Sequence, residues 1–296
     1  MNKPTSREIR RPAISAAIIC FNEEKNIERC LDSLDWCDQI VAIDSGSTDR
    51  TLDILRAYER PVILHRPFDT YINQKNYALD HCDNDWVLSI DADETLPRSL
   101  IDEIQDLAFD VSGYNVGRRN FLGSREIKHG NWSPDYKLRL FRKSTGRWGG
   151  SNPHERFVIE GPTQNLNHRM LHYSFASREE FVARNMKYTR MMVDYLEDLG
   201  KMPFRGQAYI HWIGNFVKCY LLRGGILDGG DGLFLARHIA QASYLKSSLL
   251  AKRIKSREAP KHKTNIKKPL NFQRHLDGAQ SATAQRSIAS RSKRSA

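Results

Sequence analysis

The sequence lacks any apolar run of about 18 residues or more, so a membrane-spanning helix is not expected. Its first segment, Met1–Pro12, is charged and lacks the apolar stretch of a secretory signal. No two of its five cysteines form a Cys-x-x-Cys pair, and their number is odd. These absences favour a cytoplasmic protein with reduced cysteines.

The body of the chain also lacks net charge, although the whole chain carries +11 at pH 7. Thirteen basic and two acidic residues lie within 252–296, which leaves 33 of each sign within 1–251. The terminal segment has few apolar side chains, so we expect a disordered tail. It has one aromatic residue, Phe272, and no recognition motif, so we do not expect a nucleic-acid partner.

What the sequence does contain is an alternation of apolar runs and amphipathic segments. The runs Ile14–Cys20, Gln39–Ile43, Val62–Leu64 and Trp86–Ile90 are typical of buried strands. The segments between them have the apolar spacing of helices. Four such alternations predict an α/β fold with a parallel, doubly wound sheet, in which ligands gather at the carboxyl ends of the strands.

Acidic residues follow the fourth predicted strand, where Asp91 and Asp93 stand one residue apart. The same Asp-x-Asp pattern occurs at Asp83–Asp85, but that segment is a polar turn before the strand. The segments Asn22–Glu23 and Asp44–Asp49 end the first two strands and would lie at the same edge. Oxygen ligands suit hard cations, so this edge is predicted to bring a cation and a polyanion together.

The second half of the chain has a different pattern. After a predicted helix at Leu96–Ala108, strands and loops rich in Arg and Trp run from Tyr114 to Ile159. Three amphipathic segments follow, at Glu179–Leu199, at Pro203–Leu222 and, after a glycine-rich break at Gly224–Gly232, from Leu235 to Leu249. We therefore predict a domain at 1–175, a helical region at 176–251 and a basic tail at 252–296.

The motifs at the three strand ends resemble those of inverting family 2 glycosyltransferases of GT-A fold, a Rossmann-like doubly wound mixed sheet. They are Cys20–Glu24, Asp44–Asp49 and Asp91–Glu94. Three later stretches are similar to the lipopolysaccharide core β-1,4-glucosyltransferases of the WaaE/KdtX type: Asn120–Gly123, Lys137–Arg142 and Asn152–Glu155. The resemblance covers about Ala13 to Leu250.

The resemblance implies a reaction and a cofactor. The reaction is transfer of glucose from UDP-glucose to a heptose of the lipopolysaccharide inner core, with inversion. A divalent cation, Mg²⁺ or Mn²⁺, would neutralise the departing diphosphate. By the resemblance, Asp93 binds the cation and Asp91 binds the ribose or the cation. Further contacts to the nucleotide sugar are implied for Phe21, Asn22, Glu23, Asp44 and Lys75.

Two of these side chains have structural alternatives. Asp44 suits a contact to the uracil ring, but it can also close its own Ser-Gly turn. Lys75 suits the pyrophosphate, because a cation stabilises an anionic leaving group. The alternative for Lys75 is a solvated position on a helix.

Glu155 is the predicted general base, since a carboxylate within hydrogen-bond reach can accept the proton of the acceptor hydroxyl. Many family 2 enzymes have a Glu-Asp pair at this point, whereas this chain has His154-Glu155. Asp135 is the second candidate for the base. An ion pair between Glu155 and Arg156 is the structural alternative.

His172 is a candidate ligand of the cation, on a short predicted strand after Met170–Leu171. A histidine packed in the core is the alternative. Trp132 and Trp148 suit stacking on sugar rings, and burial in the core suits them equally.

The last amphipathic helix runs into the basic tail, an order that suits a helix lying on an anionic membrane. A lipid-linked saccharide acceptor would lie at that surface. We therefore expect a peripheral protein on the cytoplasmic face of the bacterial inner membrane. The alternative is a bundle helix followed by a solubilising tail.

Two other functions fit the same motifs. One is a family 2 transferase with another sugar donor, or with a polyprenyl-phosphate or protein acceptor. The other belongs to a different class, a protein that binds anionic lipid or nucleic acid and has a degenerate sugar site.

Overall fold

The computed structural model describes residues 11–151 and 154–258. The predicted tail therefore lies outside the described residues, apart from 252–258. These seven residues are helical and continue the last helix, although the sequence analysis assigned them to the tail.

The first half of the chain forms a parallel sheet. Its strands are β1 (Ile14–Cys20), β2 (Gln39–Asp44), β3 (Val62–His65) and β4 (Trp86–Asp91), and they lie in the order β3-β2-β1-β4. The helices between them are α1 (Ile27–Asp32), α2 (Thr51–Ala57) and α3 (Tyr71–Asp80). Because Cys20 is paired with Asp44 and Ile19 with Asp91, the ends of β2 and β4 flank the end of β1.

The later strands extend this sheet with antiparallel pairs and one parallel pair. In chain order the elements are β5 (Glu94–Thr95), α4 (Arg98–Gln105), β6 (Gly113–Leu122), β7 (Arg125–Ile127), β8 (Tyr136–Arg142), β9 (Gly146–Ser151), β10 (His154–Ile159) and β11 (Thr163–Phe175). Strand β8 joins β4 to β6, and β11 joins β6 to β5. Strands β9 and β10 form a separate hairpin. The predicted α/β fold with a doubly wound mixed sheet is confirmed.

Apolar residues on both faces of the sheet hold these elements together. In β1, Ile14, Ala16 and Ile18 belong to the core cluster that contains α1, whereas Ala17 packs on the opposite face with α3 residues. A parallel strand covered by helices on both faces is apolar at nearly every position. This is why the continuous apolar runs predicted the strands correctly.

Helices dominate after β11. They are α5 (Arg178–Asp198), α6 (Gln207–Val217), a π-helical segment (Lys218–Leu222), a short 3₁₀ helix (Gly225–Asp228) and α7 (Gly229–Glu258). Helix α7 starts inside the predicted glycine-rich break, where the buried Asp228 carboxylate accepts hydrogen bonds from the backbone of Lys128 and His129. In the described part of the chain, no helix combines the length and apolarity needed to cross a membrane.

Gly146 allows the two strands of the β9–β10 hairpin to approach closely. A Cβ at this position would lie 2.1 Å from the carbonyl oxygen of Val158. We expect Gly146→Ala to lower the free energy of unfolding by about 1–3 kcal/mol, measured by chemical denaturation. Gly149 on the same strand is the control, because its Cβ would meet Val158 Cγ2 at an ordinary 3.4 Å. Equal destabilisation by Gly149→Ala would contradict this account.

Candidate active site

The loops that follow β1 and β2 are joined by hydrogen bonds. Asn22 has a left-handed backbone (φ 55°), a conformation that asparagine tolerates well. Its backbone N–H donates to Ser47 Oγ (2.9 Å), and its Oδ1 accepts from the Thr48 N–H (2.8 Å). Next to it, the Glu23 N–H donates to Thr51 Oγ1 (2.8 Å). Asn22 does not cap α1, which begins only at Ile27.

Asp44 is fully buried at the end of β2. Its carboxylate accepts hydrogen bonds from the backbone N–H groups of Gly46 (2.9 Å) and Ser47 (3.1 Å). The side chain therefore closes its own turn, as one of the two alternatives anticipated. Phe21 lies at the end of the neighbouring strand with 56% of its surface exposed. A flat exposed ring beside a fixed carboxylate is suited to holding a nucleobase.

Two cations neutralise Asp91 at the tip of β4. Lys75 Nζ lies 3.1 Å from Oδ1, and Arg139 Nη2 lies 2.6 Å from Oδ2. Burial alone would raise the pKa of the Asp91 carboxyl, but Arg139 and Lys75 outweigh it and hold this pKa well below its usual range. Asp91 is therefore a permanent anion whose two oxygens are both already in ion pairs.

The ion pairs continue beyond Asp91 into a network of alternating charges. Glu94 is fully buried and accepts from Arg139 (2.5 Å), from Arg118 (3.2 Å) and from the Asp91 N–H (3.0 Å). Arg118 in turn binds Asp135 at 2.5 Å. In order along the network, the members are Glu155, Lys75, Asp91, Arg139, Glu94, Arg118 and Asp135.

Sequence analysis missed Glu94, Arg118 and Arg139 as parts of the site. The signal available was the concentration of arginines between residues 118 and 142, combined with a carboxylate directly after the Asp-x-Asp motif. A buried guanidinium needs a carboxylate partner. The pairing itself joins positions 45 residues apart and cannot be read from local patterns.

Lys75 is buried, so the alternative of a solvated helix lysine is wrong. Its Nζ contacts Glu155 Oε1 (3.4 Å) as well as Asp91, and it lies 4.6 Å from the centre of the Trp148 ring. Glu155 on β10 thus pairs with Lys75, and the salt bridges contain no pair with its neighbour Arg156 among the described residues.

The residues on either side of Lys75 in α3 form hydrogen bonds with two further parts of the site. Gln74 Nε2 donates to Ser45 Oγ (2.8 Å) in the turn after β2. Asn76 exchanges two 3.0 Å hydrogen bonds with the backbone of Trp148 on β9. Three consecutive residues of α3 therefore bind the Asp44 turn, the β4 tip and the hairpin that carries Glu155.

Asp135, the second candidate for the base, is held differently. Arg118 binds its Oδ2 through both Nε (2.8 Å) and Nη2 (2.5 Å). Burial would raise the pKa of Asp135, but Arg118 outweighs it and lowers this pKa below its usual value. A carboxylate with a lowered pKa is a weaker proton acceptor, which makes Asp135 the poorer base.

Asp93 and His172 face each other beside this network. His172 Nε2 lies 3.4 Å from Asp93 Oδ2, and both side chains are partly accessible. The other ring nitrogen, Nδ1, is 2.6 Å from Asn120 Oδ1, a carbonyl-type acceptor. If Nδ1 carries the proton for this bond, Nε2 presents its lone pair towards Asp93. Ligand histidines in metal sites are commonly oriented in this way by their second nitrogen.

The Asp93–His172 pair fits a divalent cation in chemistry and spacing. Adjacent ligand atoms on one Mg²⁺ or Mn²⁺ ion are about 3 Å apart when bond lengths are about 2.1 Å. Within residues 11–151 and 154–258, no group of three His, Cys, Asp or Glu side chains is arranged to hold a metal. A cation here would therefore need ligands from substrate and water. Asn120, whose side chain contacts His172 Nδ1, was also not predicted as part of the site.

The two tryptophans are part of the core. Trp148 is buried against Phe141 and Phe157, and Trp132 packs with Phe175 and Phe181. Burial in the core, one of their two alternatives, therefore accounts for both rings.

Glu23 forms no salt bridge with the described residues, although the charge of Arg184 also acts on its carboxyl. Burial is the main influence and raises the pKa of Glu23 to about 7, against a smaller opposing effect of the Asn26 hydrogen bond. The negative charge of Asp93 adds to the increase. Glu23 can therefore exchange a proton near neutral pH.

Comparison with known proteins gives a consistent family. A family model described as "Glycosyl transferase family 2" matches residues 15–160. The lipopolysaccharide core biosynthesis glycosyltransferase LpsC of Rhizobium meliloti (strain 1021) is 31% identical over 262 residues, covering 86% of this chain and 96% of LpsC. An uncharacterized glycosyltransferase of Rickettsia bellii (strain RML369-C) is 29% identical over 259 residues, covering 82% and 87%. Among solved structures, S. aureus TarS 1-349 with UDP has a TM-score of 0.39 at 14% identity, over 83% of this chain and 92% of that one.

Glu23 should make the stability of the fold depend on pH. Because the pKa of its carboxyl rises from 4.5 to about 7 on folding, the folded chain binds more protons in this range and loses stability as the pH rises through it. Relative to Glu23→Gln, the wild-type free energy of unfolding should fall by roughly 1–3 kcal/mol between pH 5 and pH 8.

Denaturation at several pH values measures this difference, with Glu28→Gln as the control, because Glu28 is exposed on α1. If the wild type and Glu23→Gln changed in parallel with pH, the elevated pKa would be refuted.

Proposed function

The chain belongs to glycosyltransferase family 2, and from this premise we propose that it transfers glucose from UDP-glucose to a heptose of the lipopolysaccharide inner core, with inversion. The similarity to LpsC, which extends over 96% of that relative, supports lipopolysaccharide core assembly. The resemblance of the strand-end motifs supports a UDP-sugar donor.

One observation carries this proposal. A single ammonium group, Lys75 Nζ, binds both the β4 carboxylate Asp91 and the proposed base Glu155. The donor edge of the sheet and the acceptor-side hairpin therefore meet at one point, which is the arrangement that a single in-line displacement requires.

The nucleoside end of the donor is assigned to the joined loops after β1 and β2. Phe21, Asn22, Glu23 and Asp44 would surround the base, with Asp44 already fixed by its turn. Asp91 would accept from a ribose hydroxyl. We prefer this role to metal binding because both Asp91 oxygens are in ion pairs, and a metal would have to displace a cation.

Asp93 and His172 would hold Mg²⁺ or Mn²⁺, with Asn120 orienting the histidine ring. When bound, the ion would neutralise charge that develops on the departing diphosphate. Lys75 would add a positive charge on the same side of the reaction.

Glu155 would act as the general base. Its carboxylate would take the proton of the acceptor hydroxyl while the hydroxyl oxygen bonds to the anomeric carbon. The bond from that carbon to the diphosphate oxygen breaks in the same step, and UDP leaves with the bonding electrons. Attack from the opposite face inverts the configuration.

The acceptor places the protein at a membrane in this proposal. The inner core is built on a lipid, so a peripheral position on the cytoplasmic face of the inner membrane would bring the enzyme to its acceptor. Part of the apolar side of helix α7 is not available for this purpose, since Leu235, Ala236, Ala240 and Leu250 are buried.

The first test compares donors and bases. UDP release is measured with a panel of UDP-sugars, Mn²⁺ and a heptose-containing core acceptor. We expect UDP-glucose to be the best donor, and Glu155→Gln to lower kcat by about 10²–10⁴-fold, the usual effect of removing a general base. Asp135→Asn is the matched control and should retain more activity. A larger loss in Asp135→Asn would move the base to Asp135, and turnover of no donor would contradict the proposal.

The second test concerns the cation. Asn120→Ala should loosen the His172 ring, whose Nδ1 would keep its contact to Ser174 Oγ (2.9 Å). Mn²⁺ binding in the presence of UDP should weaken by about 10–100-fold, measured by calorimetry. Asn115→Ala is the control, because Asn115 lies on the same strand and bonds only to Thr163 and Asn165 side chains. Unchanged Mn²⁺ affinity in both Asn120→Ala and Asp93→Ala would show that the ion binds elsewhere.

A further inference from the structure

Helix α6 and the turns after it expose an unusual amount of apolar surface. No residue of α6 is buried, although seven of the eleven residues in its sequence, QAYIHWIGNFV, are apolar or aromatic. Eleven of the 18 exposed large hydrophobic residues of the described chain lie between Met202 and Leu233. Leu222 is 78% exposed and Leu227 is 71% exposed. Soluble proteins rarely present so much contiguous apolar surface without a partner.

The exposed residues form one continuous face. In α6 they stand at positions 209, 210, 213 and 217, a spacing that keeps them on one side of a helix. Leu221 and Leu222 continue the face through the π-helical segment. We call this set of six residues the α6 surface.

The opposite side of α6 faces the rest of the chain. His211 Nδ1 lies 3.1 Å from Ser247 Oγ on α7. The Trp212, Phe216 and Tyr220 rings are half-buried and follow one another with centroids 5.8 and 5.4 Å apart. The α6 surface therefore points outward, because the other side of α6 contacts the rest of the chain.

Positive charge surrounds the α6 surface. Between Lys201 and Leu227 the sequence has no acidic residue and four basic ones: Lys201, Arg205, Lys218 and Arg223. All four are exposed. Exposed apolar residues, aromatic rings and flanking Lys and Arg are together typical of helices that lie in the interfacial region of anionic bilayers.

We propose that the α6 surface inserts into the headgroup region of an anionic lipid bilayer. Charge favours a bilayer over a second copy of this chain. In a two-fold symmetric contact through the α6 surface, the basic residues of both copies would approach one another without any acidic residue from the segment to pair with. An anionic lipid layer supplies the opposite charge.

The inference goes beyond the proposed transferase activity, because binding to vesicles needs neither donor nor acceptor. It also differs from the expectation that the last helix lies on the membrane. The lipid-binding element is assigned to the segment before α7. If the proposed reaction does not occur, vesicle binding should be unaffected. If vesicle binding does not occur, transfer to a soluble acceptor should be unaffected.

The experiment is flotation of the full chain with unilamellar vesicles of phosphatidylethanolamine and phosphatidylglycerol (3:1), compared with pure phosphatidylcholine vesicles. We expect the wild type to bind the anionic vesicles and Ile213→Glu/Leu222→Glu to bind at least ten-fold more weakly. Val62→Glu/Val158→Glu is the control, since it adds the same charge at exposed valines outside the α6 surface. The control should bind like the wild type.

Salt separates the α6 surface from the basic tail. At 0.5 M NaCl, electrostatic attraction by the charges of the tail is largely screened, so the difference between wild type and Ile213→Glu/Leu222→Glu should persist there. Equal vesicle binding by these two proteins at both salt concentrations would overturn the proposal. The proposal would also be overturned if the wild type formed a dimer in sedimentation while Ile213→Glu/Leu222→Glu was a monomer with unchanged vesicle binding. A second copy of the chain would then occupy the α6 surface.

Insertion also has a spectroscopic signature. Trp212→Phe/Ile213→Trp moves a tryptophan from the inner side of α6 to the α6 surface, where Ile213 is exposed. Its emission should be quenched by brominated lipids in anionic vesicles more strongly than that of Trp212→Phe. Circular dichroism of each variant establishes that it is folded. Equal quenching in these two folded, vesicle-bound variants would also contradict insertion at this surface.

Discussion

Burial of Glu94 between two arginines is the constraint on which the rest of the site depends. Its carboxylate binds Arg118, Arg139 and the Asp91 N–H with no exposure to solvent. A buried charge that loses its partner costs about 3–5 kcal/mol, whereas the paired group costs far less. The three ion-paired side chains come from β5, β6 and β8, and Arg139 also binds Asp91 at the end of β4. The parallel and antiparallel halves of the sheet are therefore joined by charge at the point where the donor would bind.

Helix α3 extends this constraint to the acceptor side. Lys75 is buried between Asp91 and Glu155, while Gln74 binds the turn after β2 and Asn76 binds strand β9. A small rotation of α3 would disturb the nucleoside wall, the β4 tip and the hairpin together. Three contacts of different chemistry, all from one turn of α3, hold the proposed base at a fixed position relative to the donor site. A single flexible lysine could not hold it in this way.

The sequence predicted the parts of the fold that local patterns determine. Strands β1, β2 and β4 were correct because both of their faces are covered, and the ends of β2 and β4 located Asp44, Asp91 and Asp93. The edge strand β3 has no buried residue, although its apolar run also predicted it. The length of β11 was underestimated, since most of its first eight residues are exposed and polar. Partners of Glu94 and His172 were also missed, because Arg139 and Asn120 reach them from strands 45 and 52 residues away. Only the closed sheet brings these groups together.

Closure of the sheet also gives the two carboxylates of the Asp-x-Asp motif different chemistry. Asp91 and Asp93 are separated by one residue, yet only Asp91 is neutralised by Lys75 and Arg139. Asp93 points instead to an imidazole whose second nitrogen is fixed by Asn120. A divalent ion gains most from a carboxylate whose charge is not already compensated, and Asp93 is that carboxylate. Asp91, already paired, can still accept a neutral hydroxyl without separating an ion pair. Pairing within the protein, rather than position in the motif, thus favours Asp93 for the proposed cation and Asp91 for the proposed sugar hydroxyl.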